Sequence, residues 1–376
     1  MNRTFLTHAS IAALLMVAGC AEQNSSKVEI TLPNKNPFPS TYSIPKNTPF
    51  AILNANVLTG DGLELTNTDI VISQGKISAM GNDLEIKAET HSIDVKGKWI
   101  TPGLIDVHSH MGVYPAPSTS NHSDGNEMTS PVTAEVWAEH SVWPEDPQFE
   151  KALAGGVTTV QILPGSGNLI GGRGVTLKNI PSITVQGMKF PGAPYSLKMA
   201  CGENPKRVYG DKGGPGSRMG NFAGYRQNWI RAQEYQEKRN SDRKNTSRDL
   251  QLETLADVLD GKILVQMHCY RADEMAQILD LAKEFNYKVT AFHHAVEAYK
   301  IGDILKENET CAAMWADWWG FKNEAYDMVW ENVAMVDQAL NANGCAIVHS
   351  DSAVGIQHLN QEASKARSAG LRAGLN

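Results

Sequence analysis

Between Thr101 and Asp351, short apolar runs recur, each followed by a longer stretch compatible with a helix, and this rhythm admits few folds. Strands that return in the same direction need a crossover between them, so the pattern predicts a parallel sheet covered by helices. Strand candidates are Gly103 to Val107, Thr158 to Leu163, Ile183 to Gly187, Ser196 to Ala200, Ile263 to Met267, Val289 to Phe292, Cys311 to Trp315 and Cys345 to Val348. Eight such units fit an α/β fold of the (β/α)8 TIM-barrel type over residues 101–376. Between the fourth and fifth candidates, Tyr225 to Asp260 is highly charged and predicts a solvated helical excursion.

Residues 48–100 have a different texture: Ala51-Ile52-Leu53, Asp69-Ile70-Val71-Ile72, Gln74-Gly75-Lys76-Ile77 and Trp99-Ile100 alternate with turn signals, as in a small domain of β-hairpins. At the start, Arg3, the apolar run Ile11 to Val17 and the small residues Ala18 and Gly19 before Cys20 have the form of an export signal over residues 1–20. The apolar run is too short to span a bilayer. Val17-Ala18-Gly19-Cys20 looks like a bacterial lipobox, which implies a lipidated Cys20, a membrane anchor and a periplasmic location. Residues 21–47, rich in Asn, Ser, Pro and Lys, read as a flexible tether.

Composition narrows the partners. A net charge of -7 with no basic stretch carrying aromatics gives no footprint for nucleic acid. Beyond Cys20 the chain has Cys201, Cys269, Cys311 and Cys345; three of them stand singly in apolar runs, and no CxxC pattern is present. Buried free thiols are expected.

Chemistry concentrates at strand ends. Gly103-Leu104-Ile105-Asp106-Val107-His108-Ser109-His110 is an apolar strand finishing in two histidines two residues apart, which project to one side where barrel enzymes keep their sites. Two imidazoles on one face are a natural start for a zinc site. His268 ends the fifth strand, His293-His294 the sixth and His349-Ser350-Asp351 the eighth. A barrel converges all of these.

This arrangement resembles the amidohydrolase superfamily from about Phe50 onward. The approach Trp99-Ile100-Thr101-Pro102-Gly103-Leu104-Ile105-Asp106 is similar to the branch that contains imidazolonepropionase and related peptidases and deaminases. The resemblance implies one or two divalent metal ions, zinc by default, with His108 and His110 on one and His268 and His294 on a second or completing the first. It implies that Asp351 is both ligand and proton shuttle. His294 is preferred to His293 because a small residue, Ala295, follows it at once. Lys198 stands where many members carry a carboxylated lysine, and Glu203 is the rival ligand. The implied reaction is hydrolysis of a carbon-nitrogen bond in a small polar amide, cyclic amide or dipeptide by metal-activated water. Ring deamination and a non-catalytic metal- or solute-binding lipoprotein are the alternatives, and a homo-oligomer is compatible with either.

Weaker candidates surround the expected mouth. Gly165 to Gly174 is Gly-rich but lacks the Lys-Ser/Thr of a P-loop, so it reads as a mobile loop in which Arg173 meets a substrate carboxylate. Asp124 and Glu127 are candidates for an amine pocket, Tyr270 and Arg271 for a carbonyl contact, and Trp315, Trp318 and Trp319 for an aromatic wall. In the resembling branch the chain runs past the eighth helix to complete the N-terminal β-domain. Here it ends at Asn376, so the hairpins are expected to form a partial β-sandwich with open edges.

Overall fold

The computed structural model describes residues 37–44, 46, 48–341 and 345–375. The signal segment with Cys20 and most of the tether lie outside the described residues. Phe38 to Tyr42, placed in the tether by composition, instead sits on the barrel: Phe38 packs edge-on against Trp137 and His140, and Thr41 donates to the Gln186 carbonyl.

A small sheet comes first, from strands β1 (Phe50–Leu58), β2 (Glu64–Ser73), β3 (Lys76–Gly81), β4 (His91–Asp94) and β5 (Trp99–Ile100). Its order is β3-β2-β1-β4, with β5 also on β1. Gln74 and Gly75 both take positive φ, the geometry a two-residue hairpin needs to match strand twist, so β2 and β3 pair directly. One side of the sheet buries Ala55, Val57 and Ile70, while Ile77, Met80, Ile93 and Trp99 stay exposed.

The barrel sheet is β6 (Leu104–Ser109), β7 (Val157–Ile162), β8 (Ile170–Lys178), β9 (Ser196–Ala200), β10 (Leu264–Cys269), β11 (Val289–His294), β12 (Cys311–Met314) and β13 (Ala346–Val348), hydrogen-bonded in chain order. Its third member corrects the sequence reading. Ile183 to Gly187 is not a strand: Ile183 is 85% exposed, and Thr184 caps a short helix, Val185–Met188. The Gly-rich segment takes that place as β8, antiparallel to both neighbours and almost wholly buried. Its glycines permit close backbone approach rather than mobility. A Cβ on Gly172 would lie 2.3 Å from the Val136 carbonyl oxygen, and one on Gly174 would lie 2.5 Å from Ser196 Oγ.

Among the described residues no ladder joins β13 to β6. The seam is closed by side chains and single backbone bonds: Asp351 N–H donates to the His108 carbonyl at 3.1 Å, and Ser350 N–H and Oγ both donate to the buried carboxylate of Asp106. Burial raises the pKa of Asp106 to about 6, although these donors pull it down.

Outside the sheet, helix Arg218–Ser241 opens the charged excursion, yet it buries Tyr225, Trp229, Ala232 and Tyr235 against the barrel. Its outer face, with Met219, Arg226 and Ile230, is solvated as expected. The four cysteines are not free thiols. Cys201 pairs with Cys269 and Cys311 with Cys345, each pair joining neighbouring strands whose Cα atoms stand 5.3 and 4.5 Å apart. No helix among the described residues is long and apolar enough to cross a membrane.

Candidate metal centre

Alternation along β6 sends Asp106, His108 and His110 to the barrel interior, and His108 is wholly buried. Four polar side chains converge at the C-terminal mouth. His108 Nε2 lies 3.3 Å from His110 Nε2, 3.1 Å from Lys198 Nζ and 3.5 Å from Asp351 Oδ1. His110 Nε2 lies 3.1 Å from the same carboxylate oxygen.

Hydrogen bonding assigns the tautomers. His110 Nδ1 is 2.8 Å from the Leu163 carbonyl, which only accepts, so Nδ1 holds the proton and Nε2 presents a lone pair. His293 Nε2 is 2.6 Å from Gln266 Oε1, and His293 Nδ1 is 2.9 Å from His108 Nδ1. Gln266 thus fixes His293 as donor to the amide and acceptor from His108, leaving a lone pair on His108 Nε2 as well. Two lone pairs and a carboxylate oxygen then converge, with Lys198 Nζ placed to donate to His108 Nε2. Such a set favours a positive charge beside it, and two imidazoles with a carboxylate suit a divalent metal such as zinc.

A second group adjoins the first: ligand atoms of His108, His294 and His349 all lie within 4.8 Å of one another. His294 Nδ1 is 3.8 Å from Asp351 Oδ2, and Nδ1 of His268, His294 and His349 is buried in each case without a hydrogen-bond partner among the described residues. His268 stands slightly apart, its ring 4.7 Å from that of His294 and its Nε2 3.3 Å from Asn204 Nδ2.

Burial, followed by the charges of Lys198 or Lys322, depresses the basicity of His108 and His268 well below the usual imidazole range. Neutral imidazoles result, as metal ligation requires. Lys198, 1% exposed, has its pKa lowered to about 7 by burial, with Asp351 pulling the other way. The backbone is strained at two of these positions: His294 has φ +70° and Asp351 has φ +48°, a region L-residues avoid unless the surroundings enforce it.

Other candidates lie elsewhere. Arg173 is buried between β8 and helix Leu250–Leu259, donating to Thr254 Oγ1 and stacked 4.3 Å over Trp137, so it does not project from a loop over the mouth. Arg271 pairs with Asp273. Glu203 begins helix Glu203–Tyr209. Tyr270 reaches the cluster, its ring 4.7 Å from His268, and Trp315 stacks on His294 at 4.2 Å. Asp124 and Glu127 line a separate cavity of about 410 Å³ with Glu135 and His140. His349, Gln266 and Asn204 were not singled out by the sequence reading. His349 carried a usable signal, since it lies two residues before Asp351, the spacing that singled out His108 and His110.

The barrel fold and a cluster of side chains able to hold a divalent metal point to one recognisable class. A crystal structure of an amidohydrolase from Thermotoga maritima matches with a TM-score of 0.78 at 34% identity, covering 85% of this chain and 84% of that one. The chain belongs to the amidohydrolase superfamily. Among curated proteins, amidohydrolase tasK of Hapsidospora irregularis is 31% identical over 287 residues, 69% of this chain and 29% of that protein. An imidazolonepropionase of Vibrio cholerae is 31% identical over 123 residues, 28% of this chain and 30% of that enzyme. The chain thus matches under a third of the length of these two curated relatives. No family model matches it.

Proposed function

We propose that the protein hydrolyses a carbon-nitrogen bond in a small amide, cyclic amide or dipeptide, using one or two divalent metal ions, with zinc preferred. The observation that carries this reading is the convergence of His108, His110, Lys198 and Asp351 within 3.1–3.5 Å at the barrel mouth. When bound there, the metal lowers the pKa of a water and polarises the substrate carbonyl. Asp351, 23% exposed and reached from the mouth, takes the water's proton and delivers it to the leaving nitrogen. His268 and His294 complete the ligand set. Tyr270, whose ring packs on that of His268, is the candidate donor to the substrate carbonyl.

In this reading Lys198, as its carbamate, would help to hold metal beside the histidines. A lysine buried inside the barrel with a pKa near 7 is partly neutral, and its amine adds to carbon dioxide with loss of one proton. Cys20 is the lipid anchor, placing the barrel outside the cytoplasm. The two disulfides support that location, since such bonds persist in oxidising compartments.

The test is turnover of N-acyl amino acids, dipeptides and cyclic amides by metal-loaded protein, with products identified and Asp351→Asn as control. Amine or acid release abolished in Asp351→Asn supports hydrolysis, and ammonia release from ring substrates would move the reading to deamination. Folded, metal-loaded protein inert to all of them would leave a binding protein.

A further inference from the structure

Lys322 follows β12 in a loop that folds back over the barrel mouth. Its ammonium donates to Asn204 Oδ1 at 3.0 Å, and the other end of that amide, Asn204 Nδ2, lies 3.3 Å from His268 Nε2. One side-chain amide therefore separates this cation from a proposed ligand. The ammonium also lies 4.7 Å above the Tyr270 ring. Lys322 is half-buried, yet no carboxylate stands within ion-pair distance of it among the described residues. Glu324, the nearest acid along the chain, is taken by Arg218, and Glu203 is near enough to act electrostatically without pairing.

A cation partly withdrawn from water and met by a neutral amide and the rings of Tyr270 and Phe321, with no ion pair among the described residues, is incompletely compensated. Burial lowers its pKa, while Glu203, Glu324 and Asp351 raise it from beyond pairing distance. Arg207 adds a second positive charge in range and likewise has no ion pair among the described residues. Beside Lys322 the wall is apolar: Trp315 and Phe321 meet edge to face at 5.6 Å.

We propose that Lys322 is the anion subsite of the reaction centre, binding the carboxylate of an amide substrate whose apolar group rests on Trp315 and Phe321. The substrate class is then an N-acyl amino acid or dipeptide of a hydrophobic residue. The assignment rests on the hydrolase reading for the identity of the site, while Lys322 is a specificity residue and carries no proton. Asn204 positions the ammonium.

The probes are N-acetyl-L-phenylalanine and its neutral carboxamide, titrated calorimetrically into metal-loaded wild type, Lys322→Met, Lys322→Gln and Lys322→Arg. A charge-assisted hydrogen bond in a partly desolvated site predicts that wild type prefers the carboxylate by roughly 10- to 100-fold. That preference disappears in Lys322→Met and Lys322→Gln and largely survives in Lys322→Arg. If one neutral variant fails to fold, the other serves. Failure of the carboxylate to bind wild type, or a preference that persists without the lysine, overturns the proposal. A preference intact without turnover sinks only the hydrolase reading, whereas turnover without a preference sinks only the subsite.

Discussion

Replacing Lys198 by Met should stabilise the metal-free protein at neutral pH, although it removes a proposed ligand. The ammonium is 1% exposed, and its pKa falls from 10.5 to about 7, chiefly through burial. In the unfolded chain the lysine stays protonated up to 10.5, whereas in the folded protein it is neutral down to about 7. Unfolding therefore takes up a proton throughout that window, and stability rises with pH across it. The deficit is full below the folded pKa and vanishes above the unfolded one. At about 1.4 kcal/mol per pH unit it amounts to at most ~5 kcal/mol at pH 7. Met fills a similar volume without the charge. Urea unfolding of chelator-treated protein, followed by tryptophan fluorescence, should show the variant ahead by up to that amount at pH 7 and the gap shrinking toward pH 10. Equal stabilities at both pH values, or a less stable variant at pH 7, would refute the reasoning.

Four further outcomes follow from the same geometry. Asp351→Asn should lower kcat by roughly 10²- to 10⁴-fold, the range for loss of a general base, with KM changed far less; an unchanged kcat would remove Asp351 from proton transfer. Gly172→Ala should destabilise by at least ~2 kcal/mol in thermal unfolding, since overpacking against backbone has no cheap relief; a neutral result would mean that β8 is not held against Val136. Cys201→Ser with Cys269→Ser should cost about 4 kcal/mol by the loop-entropy model for a 68-residue separation, and reductant should lower the variant's unfolding midpoint by less than the wild type's, because only the Cys311–Cys345 bridge remains to be broken. His293→Phe should weaken metal binding by about 10- to 100-fold in a chelator competition, because His108 loses the partner that fixes its tautomer; unchanged affinity would make the Gln266-His293-His108 chain incidental.

The barrel and half of its centre were legible because their signals are local. His108 and His110 share a face by strand alternation, and the apolar runs before His268, His294 and Asp351 mark strands that a barrel brings together. β8 was hidden because its glycines, which signal a loop in isolation, serve here to let the Val132–Trp137 segment approach the strand. Once that strand is buried, Arg173 follows it to the helix side. The disulfides were hidden for a different reason: strands adjacent in space are 68 and 34 residues apart in the chain, and an apolar context reads the same for a thiol as for a bridge. Which of His293 and His294 turns toward Asp351 depends on the positive φ at His294, which no strand pattern encodes. Lys322 lay beyond reach because its loop acquires meaning only when Asn204 and Tyr270 are placed beneath it.

The central claim is that the lone pairs of His108 and His110, the carboxylate of Asp351 and the buried Lys198 exist to hold divalent metal. Elemental analysis of purified protein, wild type beside His108→Ala and Lys198→Ala, tests it most directly. The account predicts one to two equivalents per chain in wild type, falling sharply in His108→Ala and by about one equivalent in Lys198→Ala if the lysine bridges. Folded wild-type protein that retains no divalent metal and takes up none on addition of zinc would contradict it.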